Sequence, residues 1–116
     1  MSPSELRGRC RDGSYAGPTS GHAPGHVQAN MAILPADDAE AFRAFCEANP
    51  QPCPLLEVLP AGEAVLRKIA PGADVRTDLP RYRVFRDGVL ADEPTDVSDI
   101  WRDDLVTFMI GCSFIA

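Results

Sequence analysis

VQANMAILPADDAEAFRAFCEANP, residues Val27 to Pro50, contains the change of hydrophobic period that decides the fold class. From Val27 to Leu34 every second residue is apolar, which is typical of a strand, and Gln28 and Asn30 fall on the opposite face. Pro35 ends this pattern. In the segment after it, the apolar residues have the spacing of a helix. Those that fall on one helical face are Ala39, Phe42, Phe45 and Cys46. A strand followed by an amphipathic helix predicts a fold that combines both element types.

The ends of this second helix carry their own signals. Asp37 or Asp38 is predicted to cap its first turn, and Asn49-Pro50 is predicted to stop it. A proline-rich connection, NPQPCP, then leads to the next predicted strand, Pro54 to Leu59.

Further elements are predicted on both sides of this core. Near the N-terminus, Ser2 is predicted to cap a helix that runs to about Arg11 and stops at Gly13. The remaining predictions are a short strand over Leu66–Ile69, a hairpin of Tyr82–Phe85 and Val89–Ala91 around Asp87-Gly88, and a helix over Ile100–Met109 that starts at Ser98 or Asp99. The order predicts an α/β class of the mixed α+β kind, a mixed sheet with flanking helices, in one domain over residues 1–116.

Charge, hydropathy and cysteine spacing argue against several classes of protein. The formal net charge of −6 argues against nucleic acid and against an anionic membrane surface. The longest apolar run, Leu105 to Ile110, is too short to cross a membrane, and the N-terminus lacks the apolar core of a signal peptide. The four cysteines include no C-x-x-C pair, which argues against a zinc knuckle. Without a secretory signal we expect four reduced thiols in a cytoplasmic protein.

The loop before the first strand, Gly17 to Gly25, is dense in glycine and proline. Glycines let the backbone approach a ligand, and Thr19 and Ser20 add hydroxyl donors, so the loop predicts a substrate cradle next to Gln28 and Asn30. The competing interpretation is that the glycines only shape a turn and the two amide side chains satisfy buried backbone.

The segment from Arg76 to Arg83 packs charge and a phenol into eight residues. In an extended chain Arg81 and Arg83 share one face, where a guanidinium group can clamp a carboxylate, and Tyr82 takes the other face. Asp78 and Tyr82 are the predicted proton-transfer groups of this segment. The competing interpretation is a solvated hairpin held by salt bridges.

A third cluster lies near the C-terminus. If Trp101 to Asp104 is helical, Arg102 and Asp103 lie side by side, away from the apolar stripe of the helix. Adjacent carboxylates can raise each other's pKa, so Asp103 can serve as a general acid. The alternative is an ordinary charged helix face. Ser113 is predicted to donate to a ligand, and the neighbouring Cys112 to be structural.

Four long motifs carry a resemblance to a known family: GPTSGHAPGHVQANMAILP, NPQPCPLLEV, APGADVRTDLPRYRVFRDG and WRDDLVTFMIGCSF. Together they resemble the YcsI-like hydro-lyases, a family that includes the D-glutamate cyclases. The resemblance runs from about Leu6 to Phe114 and implies the N-terminal half of a larger fold, so we expect a chain that is truncated relative to the family. The family's loop pattern maps here to Gly17, Pro18, Thr19, Gly21, Ala23, Pro24, Gly25, Gln28, Ala29 and Asn30.

The resemblance implies a lyase that acts on a small amino or hydroxy carboxylate, with D-glutamate going to 5-oxo-D-proline and water. That chemistry requires carboxylate binders, a base and an acid, and neither a metal nor an organic cofactor. The expected catalytic residues are Asp78, Tyr82 and Asp103, and the expected substrate-binding residues are Thr19, Ser20, Gln28, Asn30, Arg81, Arg83, Arg102 and Ser113. The expected partner is the small carboxylate, and the sequence does not decide between a monomer and a homo-oligomer.

Two alternatives come from other functional classes. One is a non-catalytic module that binds a small carboxylate or a partner. The other is a metal-dependent hydrolase that uses His22 and His26, which have H-x-x-x-H spacing but lie in a Gly/Pro loop.

Overall fold

The computed structural model describes residues 2–14, 16 and 29–111. The elements in chain order are α1 (Pro3–Asp12), β1 (Ala29–Pro35), α2 (Ala36–Ala48), β2 (Leu55–Val58), β3 (Val84–Arg86), β4 (Val89–Asp92), a 3-10 turn (Ser98–Ile100) and β5 (Leu105–Gly111). They form two compact units. Unit 1 contains the described residues of 1–26 and 73–101, and unit 2 contains those of 27–72 and 102–116.

Helix α1 of unit 1 begins and ends as its sequence predicts. The Ser2 side chain accepts a hydrogen bond from the Glu5 amide at 3.1 Å, with Pro3 in the first turn. Gly13 ends the helix in the left-handed region at φ 83°. Leu6 and Cys10 are the buried residues of the helix.

The β3–β4 hairpin of unit 1 is also confirmed. Asp87 and Gly88 have φ values of 52° and 78°, as a two-residue turn with both central residues left-handed requires. Both strands are short and largely exposed.

Unit 2 is a three-stranded sheet in the order β1-β5-β2, with α2 packed against β1 and β5. Strand β5 pairs antiparallel with both neighbours. Strands β1 and β2 therefore run in the same direction, joined by α2, with β5 inserted between them. The mixed α and β class expected from the sequence is confirmed.

The core of unit 2 lies between α2 and the sheet. Phe108 of β5 is 1% exposed, and its ring meets Phe42 of α2 edge to face at a centroid distance of 4.9 Å. Ala39 and Cys46 are buried as predicted. Phe45, predicted on the same face, is instead 56% exposed.

The predicted helix over Ile100–Met109 is wrong. Only Ser98–Ile100 is helical, and Leu105–Gly111 forms the central strand. The apolar run VTFMI suited either structure in isolation, but three β-branched residues and an aromatic favour a strand. Thr107, Phe108 and Met109 are buried in succession, so both faces of this strand are covered.

Two smaller predictions are also corrected. The N-cap position of α2 is occupied by Pro35 without a side-chain hydrogen bond, while Asp37 and Asp38 lie inside the first turn, where the helix dipole favours acidic residues. Residues Leu66–Ile69 form no strand and instead bend around a carboxylate of β2. No helix in the described ranges has the length and apolar character needed to span a membrane.

Candidate functional site

Most of the predicted substrate cradle lies outside the described residues. This applies to Thr19, Ser20 and Gln28 of the cradle, and also to Ser113 and to the two histidines of the metal alternative. Among the residues that the structure does describe, no group of three His, Cys, Asp or Glu side chains could hold a metal ion.

Asn30 is the described member of the cradle, and it lies at one end of the unit 2 sheet. It is exposed on β1 and is paired with Ile110, while Ala29 is paired with Gly111. The Gly111 amide donates to the Pro54 carbonyl at 3.0 Å, so the start of β2 reaches the same place. We call this set, Ala29, Asn30, Pro54, Ile110 and Gly111, the Asn30 end of the sheet.

Asp78 is the most heavily bonded carboxylate of unit 1. Its side chain is 1% exposed and accepts two hydrogen bonds from Arg11, Nε to Oδ1 at 2.8 Å and the terminal nitrogen to Oδ2 at 2.7 Å. The Asp74 amide and the Thr77 hydroxyl donate to the same carboxylate at 3.0 and 2.7 Å. Burial raises the pKa of Asp78, but these donors, Arg11 first, outweigh burial and lower it to about 2.

Tyr82 is likewise engaged within unit 1. Its hydroxyl donates to the Val75 carbonyl at 2.6 Å, and its amide donates to the Pro94 carbonyl at 2.8 Å. Burial raises the pKa of Tyr82, so the phenol stays protonated. Asp78, as an anion, and Tyr82, as a neutral donor, therefore both stabilise the conformation of residues 73–82 through hydrogen bonds.

The two arginines that flank Tyr82 face solvent, as the alternating pattern predicts. Arg83 is 75% exposed at its side chain and has its Nε 3.8 Å from a Glu93 carboxylate oxygen. Arg81 is also exposed and makes no ion pair with any described residue. Both guanidinium groups are accessible to a dissolved anion.

Arg102 and Asp103 lie in the turn before β5 rather than on a helix. Arg102 Nε contacts the Asp104 carboxylate at 3.1 Å, so its ion pair is not with Asp103. The Asp103 side chain is exposed, and its backbone packs closely on Gly62. The expected side-by-side arrangement on a helix face is thus replaced by a turn that presents Asp103 to solvent.

This turn depends on Gly62, and a substitution there should show it. Gly62 has φ +83°, and an added Cβ would lie 2.9 Å from the Asp103 carbonyl oxygen. Gly72 is a matched control, because its φ is +86° but nothing in the described part of the chain lies within 4 Å of its Cβ position. We expect Gly62→Ala to lower the free energy of unfolding by about 2 kcal/mol and Gly72→Ala by about 1 kcal/mol, measured by urea denaturation. Equal losses would show that the contact with Asp103 is unimportant.

The sequence analysis missed two charged residues that make buried or half-buried interactions. Arg11 lies 67 residues from its partner Asp78, and no local pattern connects them. Glu57 is 6% exposed on β2, where its carboxylate accepts the amides of Arg67, Lys68 and Ile69 at 2.8, 3.1 and 3.1 Å. Its position as the only charge in the apolar run LLEVL was a usable signal, because a buried charge must have partners.

Unit 2 also contains an open groove of about 450 Å³ between α2 and the sheet. None of the predicted site residues lines it. Its lining is Ala39, Glu40, Arg43, Val58, Leu59, Pro60, Ala61, Val106 and Phe108.

Comparison with known proteins gives close relatives but no family model that matches. A protein of Bordetella petrii named "Putative hydro-lyase" is 64% identical over 104 residues, which are 90% of this chain and 39% of that protein. Proteins of the same description from Rubrobacter xylanophilus and Streptomyces coelicolor are 57% and 59% identical and cover 95% and 97% of this chain. This chain covers 42% and 40% of those two proteins. The chain is therefore a homologue, over nearly all of its length, of proteins named as hydro-lyases, and it spans about two-fifths of theirs.

Proposed function

We propose that this chain is part of a hydro-lyase of the YcsI-like, D-glutamate cyclase type, which acts on a small amino or hydroxy carboxylate. The observation that carries the proposal is the identity of 51–64% to proteins named as hydro-lyases, over 90% or more of the chain. The proposed reaction is D-glutamate to 5-oxo-D-proline and water.

The proposed chemistry is an intramolecular condensation. The substrate nitrogen attacks its own side-chain carboxyl carbon, so a C–N bond forms and a C–O bond breaks. The ammonium group gives up two protons and the departing oxygen takes both, which releases water. The protein has to hold the other carboxylate, move these protons and stabilise the oxyanion that develops.

The exposed arginines support this proposal as carboxylate ligands. Arg81 and Arg83 point away from the buried Tyr82, and Arg81 has no competing ion pair in the described residues. A free guanidinium group can bind a carboxylate through two parallel hydrogen bonds. We therefore assign Arg81 the leading role in substrate binding, with Arg83 and Arg102 as further candidates.

The proton-transfer roles divide by environment. Asp103 is exposed and accessible to a substrate, which favours it as a proton-transfer group. Asp78 has a pKa of about 2 and four donors on its oxygens, so it is better suited to holding residues 73–82 in place than to carrying protons. Tyr82 can position the two arginines on either side of it. The other substrate-binding residues that we propose are Asn30, Thr19, Ser20, Gln28 and Ser113.

The test is an assay of this chain joined to the remaining part of the Bordetella petrii relative, supplied with D-glutamate and no cofactor. We expect D-glutamate to disappear and 5-oxoproline to appear in equal amounts. Arg81→Ala should lower kcat/KM at least tenfold, a loss of about 1.4 kcal/mol of transition-state stabilisation. Arg86→Ala is the matched control, because Arg86 is an exposed arginine of β3, five positions after Arg81, and this change should leave kcat/KM unchanged.

Two outcomes would contradict the proposal. One is a joined protein that is folded by circular dichroism but converts neither D-glutamate nor any hydroxy or amino dicarboxylate of a panel. In that case binding of D-glutamate by calorimetry would favour the non-catalytic module instead. The other is equal activity of Arg81→Ala and Arg86→Ala, which would remove Arg81 from the site.

A further inference from the structure

Two cysteines of unit 2 lie against each other at the end of α2. Cys46 is in the last turn of the helix and is 1% exposed. Cys53 follows seven positions later, just before β2, and is half-buried. Both are free thiols, and the pKa of Cys46 is raised first by burial and then by its interaction with the Cys53 thiol, so the two side chains are within reach of each other.

The backbone between them explains this contact. The Asn49 amide donates to the Cys46 carbonyl at 3.1 Å, and the Cys53 amide donates to the Asn49 carbonyl at 2.9 Å. The Asn49 side chain donates to the Phe45 carbonyl at 2.8 Å and closes the end of the helix. Two successive turns thus return the chain to the last turn of α2.

The composition of the connection limits how far the thiols can separate. It reads NPQPCP, and each proline fixes its own φ and restricts the residue before it. A short, restricted connection holds the two side chains in contact without a large entropic cost. Disulfide formation requires close Cβ atoms and little backbone movement, and this connection favours both.

We propose that Cys46 and Cys53 form a reversible intramolecular disulfide, a redox modification site beside the Asn30 end of the sheet. The oxidant is a low-molecular-weight disulfide such as oxidised glutathione. The more accessible Cys53 attacks it as a thiolate, forms a mixed disulfide and releases one thiol. Cys46 then loses its proton and attacks the Cys53 sulfur, which releases the second thiol and forms the Cys46–Cys53 bond. Two protein thiols are oxidised and one small disulfide is reduced to two thiols.

The position of the pair gives the disulfide a target. Pro54 directly follows Cys53, and its carbonyl accepts the Gly111 amide at 3.0 Å. A Cβ on Gly111 would lie 3.1 Å from the Pro54 ring, so β5 and this proline are already in close approach. Joining Cys53 to α2 restrains Pro54, and through it the end of β5 at the Asn30 end.

Cys10 provides an internal control within the same chain. It is buried in α1 of unit 1 and has no thiol neighbour among the described residues. Burial raises the pKa of Cys10, as it does that of Cys46, so the difference between the two thiols is the neighbouring thiol that Cys46 has in Cys53.

The test uses the chain with Cys112→Ser, equilibrated in glutathione buffers from reducing to oxidising. Free thiols are trapped by alkylation after acid quench, and the peptides are identified by mass spectrometry. We expect Cys46 and Cys53 to become resistant to alkylation together, as a disulfide-linked pair whose mass is lower by two hydrogen atoms. Dithiothreitol should restore the alkylation of both. Cys10 should stay alkylatable throughout once the chain is denatured.

The single-cysteine variants separate this result from other oxidations. Cys53→Ser should leave Cys46 fully alkylatable, and Cys46→Ala should leave Cys53 as a glutathione adduct. The proposal is overturned if the parent chain accumulates that adduct on Cys53 while Cys46 stays reduced. It is also overturned if both thiols remain free in the most oxidising buffer, or if either pairs with Cys10.

Discussion

Replacing Asp78 by asparagine is expected to lower the free energy of unfolding by about 3 kcal/mol at pH 7, the largest effect we predict for a single substitution. The carboxylate is 1% exposed and accepts four hydrogen bonds, two of them from Arg11. Asparagine keeps one acceptor oxygen and turns an NH₂ group toward donors that then lack a partner. Because Arg11 is 58% exposed, water can solvate it, which places the loss at the lower end for a broken buried pair.

A matched control is Asp99→Asn in the same unit. Asp99 is exposed in the 3-10 turn, so the same chemical change should alter stability by less than about 0.5 kcal/mol. Both variants can be compared by urea denaturation followed by circular dichroism. Equal stabilities for the two would show that the Arg11–Asp78 pair does not hold α1 to residues 73–82.

The same pair predicts a pH dependence with a definite sign. The pKa of Asp78 is about 2 in the folded chain against an ordinary value of 3.8, so the unfolded chain binds the proton more readily. The stability that this difference supplies, about 2 kcal/mol, is present above pH 4 and is lost as the pH falls through 2. The gap between the parent chain and Asp78→Asn should therefore narrow between pH 4 and pH 2. A gap that stays constant over this range would contradict a lowered pKa.

The sequence predicted the elements that local chemistry determines. Ser2 and Gly13 bound α1, and Asp87-Gly88 fixes the hairpin, because a cap or a left-handed turn depends on a few neighbouring residues. The segment Leu105–Gly111 was misassigned because its structure depends on pairing with β1 and β2, which lie far away in the chain. An apolar run of that length fits a buried helix as well as a central strand.

In the candidate site, too, the features that adjacent residues determine were predicted, and those that depend on distant residues were not. The exposure of Arg81 and Arg83 and the burial of Tyr82 follow from a period of two, which can be read from adjacent residues. The ion pair of Asp78 could not be read, since its partner lies in α1, 67 residues earlier. That pair is the reason why we propose that Asp78 holds residues 73–82 in place rather than carrying protons.

Glu57→Gln is the second substitution expected to have a large effect, because it acts on a charge buried in the sheet. The carboxylate is 6% exposed and accepts the backbone amides of Arg67, Lys68 and Ile69. Burial raises the pKa of Glu57, but the three amides outweigh it and the net pKa is lowered, so the group is an anion at neutral pH. Its contribution to stability is therefore present above its ordinary pKa and is lost as the pH falls through the lowered value.

Glutamine retains one acceptor oxygen, so at least one of the three amides then faces an NH₂ group and loses its partner. We expect Glu57→Gln to lower the free energy of unfolding by about 2 kcal/mol, whereas Glu40→Gln, at an exposed position of α2, should change it little. Hydrogen exchange distinguishes the local cause from a general loss of packing. The exchange rate of the amides of residues 67–69 is measured relative to that of the α1 amides. This ratio should be higher in Glu57→Gln than in the parent chain. If exchange at these three amides is unchanged, the carboxylate does not organise this loop, and the loop must be held by the buried Ala64 and Leu66 instead.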